Sequence, residues 1–237
     1  MTETIRVNFS RPIALFPLPT TLLLPHAVLP LHMFEARYRR MISDCVDGSG
    51  QFAMASWECG ADTREQPIPL REAVCLAQII QHHQFPDGRY NVLVHGICRA
   101  RINHILEPTN DRPYRMASIV PHDNGYEILP GSDADEALRV LRRRMRQMIG
   151  GRRMRQLHWA PDMISRIDHG GVPTPALVDM IGAMLMHTDD AKYGILAERD
   201  VVNRARSVAT ELGAVDHLLH RAELINRTDW PKWLSWN

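Results

Sequence analysis

The repeat of hydrophobic and polar positions changes several times along the chain, and each change indicates a different kind of element. Between Pro12 and Leu31 an apolar run is interrupted by prolines, which excludes a helix and favours short edge strands joined by turns. The positions that follow repeat at helical spacing, so they predict one amphipathic helix that ends before Gly48. Its apolar face consists of Phe34, Tyr38, Met41, Ile42 and Cys45.

Extended segments dominate the next part of the chain. We expect strands over residues 51–56, 73–82, 89–95, 98–106 and 114–121. Asp87-Gly88 is a hairpin turn pair in front of the third of these strands, and Gly96 interrupts the run after it, as a β-bulge would. At least six short strands with a single early helix predict a compact, barrel-like β domain.

The pattern becomes helical at Ser132, which is followed by acidic residues typical of a helix start. Gly150 ends this helix, whose apolar stripe is formed by Leu138, Leu141, Met145 and Met148. We expect a short helix over 153–168, a further helix with Thr174 as its N-cap and Pro175 at its first position, and the longest helix from Asp200 onward. The second half is therefore predicted to be a helical bundle.

The fold class expected from these patterns is α+β, in two domains. The polar, turn-rich segment 122–131 favours a boundary between a β domain at 8–123 and a helical domain at 124–237.

Composition narrows the function classes. The chain has 28 basic and 27 acidic side chains, so no overall field favours a nucleic acid or a membrane as partner. The four cysteines form no CxxC pair and are expected to be free thiols in a reducing cytoplasm. Prolines break the only long apolar run near the N-terminus, and no later stretch approaches a membrane span, so we expect neither a signal peptide nor a membrane helix.

The N-terminal segment contains a series of short motifs, namely Phe16-Pro17-Leu18, Pro30-Leu31, Phe34-Glu35, Arg37-Tyr38 and Met41. Together they resemble the opening of the Lon substrate-binding domain family. Later segments are similar to the family's strands in order and spacing, namely Ala77–Ile80, Asp87–Val92, His95-Gly96, Arg99–Ile102 and Tyr114–Ala117. The resemblance covers residues 11–121 well, and it is specific because several motifs occur in order. In the helical half, Asp179–Gly182 and Asp200–Val202 are weaker matches to the helical extension of Lon proteases.

The resemblance implies a β domain of the PUA-like type (named after pseudouridine synthase and archaeosine transglycosylase), with a role in holding polypeptide. Full Lon proteases also carry an ATPase module with a phosphate-binding GxxxxGK[ST] loop and a protease module with a Ser-Lys dyad. This chain has no Gly-Lys dipeptide, and its two lysines, Lys192 and Lys232, are not in a protease-like setting. We therefore expect a non-catalytic adaptor or recognition module with no cofactor and no metal.

The candidate polypeptide site is the edge of the proline-interrupted run together with the start of the helix that follows it. Its residues are Leu24, Val28, Leu29, Glu35, Arg37 and Tyr38. Prolines leave part of this backbone unpaired, so an extended peptide, or another protein partner, could add to the edge. The alternative is a structural role, with Tyr38 in the core and Glu35 and Arg37 pairing locally.

A second candidate site is a cluster of eight arginines between Arg139 and Arg155 without any acidic residue. Its residues proposed as a patch for an anionic partner are Arg142, Arg143, Arg146, Arg152 and Arg153. One interpretation is a solvated helix face that pairs with acids elsewhere in the fold. The other is a docking surface for an acidic protein or for RNA, and RNA binding is the alternative function. The tryptophans of the C-terminus, Trp230, Trp233 and Trp236, could pack on the bundle or anchor a partner.

Overall fold

The computed structural model describes residues 7–61, 67–123 and 128–224. The β half contains β1 (Ile13–Leu18), β2 (Val28–Met33), α1 (Ala36–Val46), β3 (Gln51–Ser56), β4 (Ala73–Gln84), β5 (Tyr90–Leu106) and β6 (Met116–Pro121). The helical half contains α2 (Asp133–Ile149), α3 (Ala160–Asp168), α4 (Thr174–Leu185), α5 (Asp189–Ala197) and α6 (Val201–Leu224), with a short 3-10 turn at Met154–Gln156. The α+β class is confirmed. The C-terminal tryptophans and part of the expected boundary segment lie outside the described residues.

The strands form one mixed sheet in the order β2-β5-β4-β3-β1-β6. β1 and β3 are parallel, and the other pairs are antiparallel. Since β6 pairs with both β1 and β5, five strands close on one another, and β2 extends the sheet as an edge beside β5.

β5 is one continuous strand of 17 residues, so the predicted interruption at Gly96 does not divide it. The bulge lies one residue later: Leu76 pairs with Cys98 and Ala77 with Gly96, which leaves Ile97 extra. Gly96 itself allows the backbone of β5 to lie close to the backbone at Leu24. A Cβ atom there would lie 2.2 Å from the carbonyl oxygen of Leu24.

Two groups of buried side chains form the core. The smaller group lies inside the β half and includes Leu15, Val74 and Ile119. The larger group runs from the other face of the sheet, through α1, into the helical half, where Met145 and Leu212 are fully buried. The helical half therefore shares an apolar core with the sheet.

Local sequence explains both ends of α2 and the start of α4. The hydroxyl of Ser132 accepts a hydrogen bond from the backbone N–H of Asp135, and Gly150 caps the other end of α2, as predicted. The predicted start of α4 is one residue late, because Thr174 is already helical and Pro173 precedes the helix. Pro175 lies in the first turn, where backbone N–H groups have no acceptor within the helix, so the missing N–H of proline costs no hydrogen bond.

A buried ion pair joins the two halves. Arg99 of β5 donates two hydrogen bonds to the carboxylate of Asp179 in α4, at 2.6 and 2.5 Å, and both side chains are buried. Arg204 of α6 lies 3.6 Å from the same carboxylate and 3.6 Å from that of Asp123. The charges of four side chains, brought from β5, α4, α6 and the segment after β6, thus offset one another inside the fold.

Candidate functional site

A groove on the β half brings aromatic rings, prolines and two arginines together. We call it the aromatic groove, and it encloses about 320 Å³. Its lining is Pro17, Arg37, Tyr38, Trp57, Pro67, Ile68, Glu107, Pro108, Pro113, Tyr114 and Arg115. These residues come from β1, α1, the end of β3 and the loops that precede β4 and β6.

Two of the six residues predicted for polypeptide binding, Arg37 and Tyr38, line this groove, and a third, Glu35, pairs with Arg37. Arg37 donates from Nε to Glu35 at 3.0 Å, and its guanidinium lies 4.5 Å from the centroid of the Tyr38 ring. Tyr38 is 6% exposed, and its ring packs edge-on against Phe16 in the core. Burial raises the pKa of Tyr38, so its hydroxyl stays neutral. Glu35 therefore orients Arg37, and Arg37 covers one side of a fixed aromatic ring.

The opposite wall is held by a second set of contacts. The hydroxyl of Tyr114 donates to Asp44 of α1 at 2.8 Å, and burial raises the pKa of Tyr114. Arg115 donates to the carbonyl oxygen of Ile68 at 2.8 Å and to the carboxylate of Glu107 at 2.9 Å. These bonds tie three separate segments together, so the groove is formed before any ligand binds.

The remaining three predicted residues lie elsewhere. Leu24 is 1% exposed and belongs to the core, so it cannot contact a ligand without rearrangement. Val28 and Leu29 are on β2, the edge strand, where Val28 is 52% exposed. Pro30 pairs with Leu93 of β5 without interrupting the ladder, which indicates that its nitrogen faces the open edge. A peptide added at this edge would lack one ladder donor, and binding at this edge stays a prediction.

Most of the predicted arginine patch is used inside the fold. Arg142 donates to the carbonyl oxygens of Ile167 and Val172. Arg146 and Arg153 each form a two-bond pair with an aspartate, Asp168 and Asp216 respectively. Arg143 and Arg152 are exposed and form no ion pair within the described ranges. Of the predicted patch, these two guanidinium groups are the ones available to contact an anionic partner. Binding there stays a prediction.

Sequence reasoning missed the groove's other aromatic residues. Trp57 and Tyr114 lie 19 and 76 residues after Tyr38, and only the closing of the strands brings them together. The available signal was the set of prolines outside the strands, Pro67, Pro108 and Pro113, the last of which directly precedes Tyr114.

The family model of the ATP-dependent protease La (LON) substrate-binding domain matches residues 12–213. The chain therefore belongs to this family, as its N-terminal motifs predicted. The match includes most of the helical half, which sequence reasoning had linked to the family only weakly.

Known proteins agree with this assignment. The chain is 27% identical over 116 residues to Lon protease of Brucella abortus, which is 48% of this chain and 14% of that protein. It is 21% identical over 199 residues to Lon protease of Solibacter usitatus, which is 84% of this chain and 23% of that protein. The chain thus spans less than a quarter of the length of these relatives.

Two solved structures share the fold. The N-terminal domain of a Mycobacterium avium complex Lon protease superposes with a TM-score of 0.63 at 18% identity, covering 86% of this chain and 98% of that domain. A Lon N-terminal domain protein from Xanthomonas campestris gives a TM-score of 0.54 at 17% identity, covering 84% and 98%. Both comparisons extend over the sheet and the helices.

In the part of the chain that the structure describes, no helix is long and apolar enough to cross a membrane. Within the same ranges, no three His, Cys, Asp or Glu side chains are grouped as a metal site would require.

Proposed function

We propose that this chain is a non-catalytic recognition module that binds extended or unfolded polypeptide in the aromatic groove. The observation that carries the proposal is the groove itself: Tyr38, Trp57 and Tyr114 line one preformed depression on a chain of the substrate-binding family. Aromatic rings fixed by core packing provide apolar contact at little entropic cost. Several prolines on the rim add rigid apolar surface.

The groove suits a polypeptide better than a compact polar ligand. Its length crosses several segments, and its polar groups, Arg37, Glu107 and Arg115, already form bonds with protein groups. Apolar side chains of an unfolded chain would therefore contact Trp57 and the prolines first, since Tyr38 and Tyr114 are each 6% exposed, while the rim remains in water. The chain would act as an adaptor or regulator linked to proteolysis, in the cytoplasm, where its four free cysteines fit a reducing environment.

The absence of catalysis is part of the proposal. The sequence has no Gly-Lys dipeptide for a phosphate-binding loop, and the family match concerns a substrate-binding domain. We expect the purified chain neither to hydrolyse ATP nor to degrade casein. Casein degradation that survives replacement of Lys192 and Lys232 by alanine would reveal an active site that this account lacks.

The test of the binding site is a titration with fluorescently labelled, carboxymethylated α-lactalbumin, which cannot refold, read by anisotropy. Replacing a central aromatic contact typically costs a factor of about ten or more in affinity. We expect Trp57→Ala to weaken binding by about tenfold, and Arg37→Ser to weaken it less. Because Trp57 also packs on the smaller core, circular dichroism must show that Trp57→Ala is folded.

The matched control is Phe34→Ala. Phe34 is 64% exposed and lies outside the aromatic groove, at the end of β2 beside His32. If Phe34→Ala weakens binding and the two groove variants do not, the binding surface is the β2 end and the groove proposal is wrong. Binding of a generic RNA that falls steeply with salt would instead support an anionic partner at the arginines.

A further inference from the structure

Tyr38 presents a hydroxyl without a partner to the aromatic groove. The side chain is 6% exposed, and its hydroxyl forms no hydrogen bond with any residue that the structure describes. Arg37 covers one face of the ring and Phe16 packs against it edge-on, so the part of Tyr38 that stays accessible is the part that lines the groove. A nearly buried hydroxyl without a partner is unfavourable, and a ligand that accepts a hydrogen bond from it would satisfy it.

The surroundings of this hydroxyl favour its role as a donor. Burial raises the pKa of Tyr38, so the hydroxyl keeps its proton near neutral pH. The positive charges of Arg37 and Arg115, which both line the groove, act on the same hydroxyl in the opposite direction. Positive charge beside an O–H group polarises it and strengthens it as a donor. Glu107 is the one carboxylate among the described lining residues, and Arg115 already donates to it.

Trp57 supplies a second donor and the accessible aromatic surface of the groove. It is partly exposed, whereas Tyr38 and Tyr114 are almost buried. The indole N–H of Trp57 also takes part in no hydrogen bond within the described ranges. The groove therefore combines an apolar ring with two donors that the acceptors of a ligand can satisfy.

A proline-containing segment matches this set of groups. Proline has no N–H that would lack an acceptor when the backbone is buried, and the carbonyl groups of an extended proline-rich chain are free to accept hydrogen bonds. Its ring is apolar and packs on aromatic side chains, and the chain is already extended, so little conformational freedom is lost on binding. An acidic side chain also accepts hydrogen bonds. However, Arg37 and Arg115 are each paired with a glutamate, so the groove has little uncompensated charge to attract it.

We propose that the aromatic groove binds proline-containing segments of extended polypeptide, with a proline ring on Trp57 and a neighbouring main-chain carbonyl that accepts a hydrogen bond from the hydroxyl of Tyr38. This inference rests on the proposed function and adds a substrate class to it. Tyr38 then has two separate roles. Its ring belongs to the core, and its hydroxyl determines which ligands fit.

The test uses three labelled peptides that differ only at two central positions. Each has blocked ends and flanking Ser and Gly residues, and the centres are Leu-Pro-Pro-Leu, Leu-Ala-Ala-Leu and Leu-Asp-Asp-Leu. We expect the intact chain to bind the proline peptide about five- to tenfold more tightly than the alanine peptide in an anisotropy titration. Equal binding of these two peptides, or tightest binding of the aspartate peptide, would overturn the inference.

Tyr38→Phe removes the hydroxyl and keeps the ring in the core. It should weaken binding of the proline peptide by about three- to tenfold, the range of one neutral hydrogen bond. The matched control is Tyr90→Phe, because Tyr90 is also 6% exposed but lies on β5, outside the lining of the groove. Unchanged affinity in Tyr38→Phe, or an equal loss in both variants, would contradict the inference.

The indole N–H of Trp57 reports where the peptide is bound. The chain has five tryptophans, and the cross-peak of Trp57 in a ¹H–¹⁵N NMR spectrum is identified by its loss in Trp57→Phe. A saturating proline peptide should shift this cross-peak, and an unchanged position would overturn the assignment to the groove.

Carboxymethylated α-lactalbumin separates this inference from the proposed function. If the intact chain binds this unfolded protein, and Trp57→Ala weakens that binding, but the proline peptide has no advantage, only the inference is wrong. If the chain binds neither the peptides nor the unfolded protein, both are wrong.

Discussion

At the scale of a single residue, Gly96 fixes the position of the segment that leads into the edge strand β2. Its carbonyl oxygen accepts a bond from the N–H of His26 at 2.8 Å, and its N–H donates to the carbonyl oxygen of Ala27 at 2.9 Å. This exchange is possible because the carbonyl of Leu24 occupies the space where a side chain would begin. His26 has a positive φ of 64°, so the segment before β2 is tightly turned here.

Gly96→Ala should therefore destabilise the protein by about 3 kcal/mol, since the added carbon meets backbone that cannot move aside freely. Urea unfolding followed by circular dichroism measures this change. Gly171→Ala is the matched control, because a Cβ there meets nothing within 4 Å and no positive φ is involved. Equal stability of the two variants would show that the approach of Leu24 to Gly96 is not tight in solution.

At this scale the sequence predicted some roles and not others. A family motif contains Glu35, Arg37 and Tyr38, and the structure places Arg37 and Tyr38 in the groove, with Glu35 bonded to Arg37. Leu24 belongs to the apolar run beside this motif, but it lies in the loop between β1 and β2 and its side chain is buried in the core. The packing of such a loop depends on segments that are distant in sequence, so the local pattern does not predict it.

At the scale of elements, a charged pair joins helices α2 and α3. Arg146 binds both oxygens of Asp168, at 2.7 and 2.8 Å, and this hydrogen bonding lowers the pKa of Asp168 below its usual 3.8. A carboxyl group whose pKa is lower in the folded state stabilises the fold above its unfolded pKa. That contribution is lost as the pH falls through the folded value.

Arg146→Gln should therefore lower the Tm at pH 6, and the difference from the native chain should disappear as the pH falls below 3.8. Thermal scans between pH 2.5 and 6 measure it. Arg143→Gln is the control, since Arg143 is exposed on the same helix without an ion pair in the described ranges. A difference that stays constant across this pH range would mean that Arg146 acts through packing instead.

Elements with a clear period were predicted best. The apolar stripe and the Ser132 cap located α2, and the strands were found to within a few residues. The parallel pairing of β1 with β3 and the second pairing of β6 could not be predicted, because strand order depends on contacts between distant segments.

At the scale of the whole molecule, the buried Arg99–Asp179 pair links the β half to the helical half. These residues are 80 positions apart, and no local pattern marked them as partners. Removing one partner of such a pair leaves a buried charge without compensation. The pair therefore makes the position of the helical half depend on its contact with β5.

Asp179→Asn should cost about 3–5 kcal/mol of unfolding free energy, measured by urea titration at pH 7. Asp190→Asn is the matched control. It breaks another pair between the halves, that with Arg71, but Asp190 is 73% exposed, so the cost should stay below about 1 kcal/mol. Similar losses for both variants would contradict a special role for the buried pair.

The division into domains at 8–123 and 124–237 stays a prediction. The closed set of five strands and the smaller core lie wholly within the first domain, which favours its independent folding. The shared larger core and Arg99 oppose it. An amide NMR spectrum of residues 1–123 decides the matter, since dispersed signals indicate a domain and collapsed signals a shared fold.

Amide hydrogen exchange of the intact chain, with and without excess carboxymethylated α-lactalbumin, tests the central claim most directly. Binding in the aromatic groove predicts slower exchange at the segments around Tyr38, Trp57, Ile68 and Tyr114, with little change on α2. Protection confined to residues 139–155, or no protection in the presence of the unfolded protein, would contradict the account.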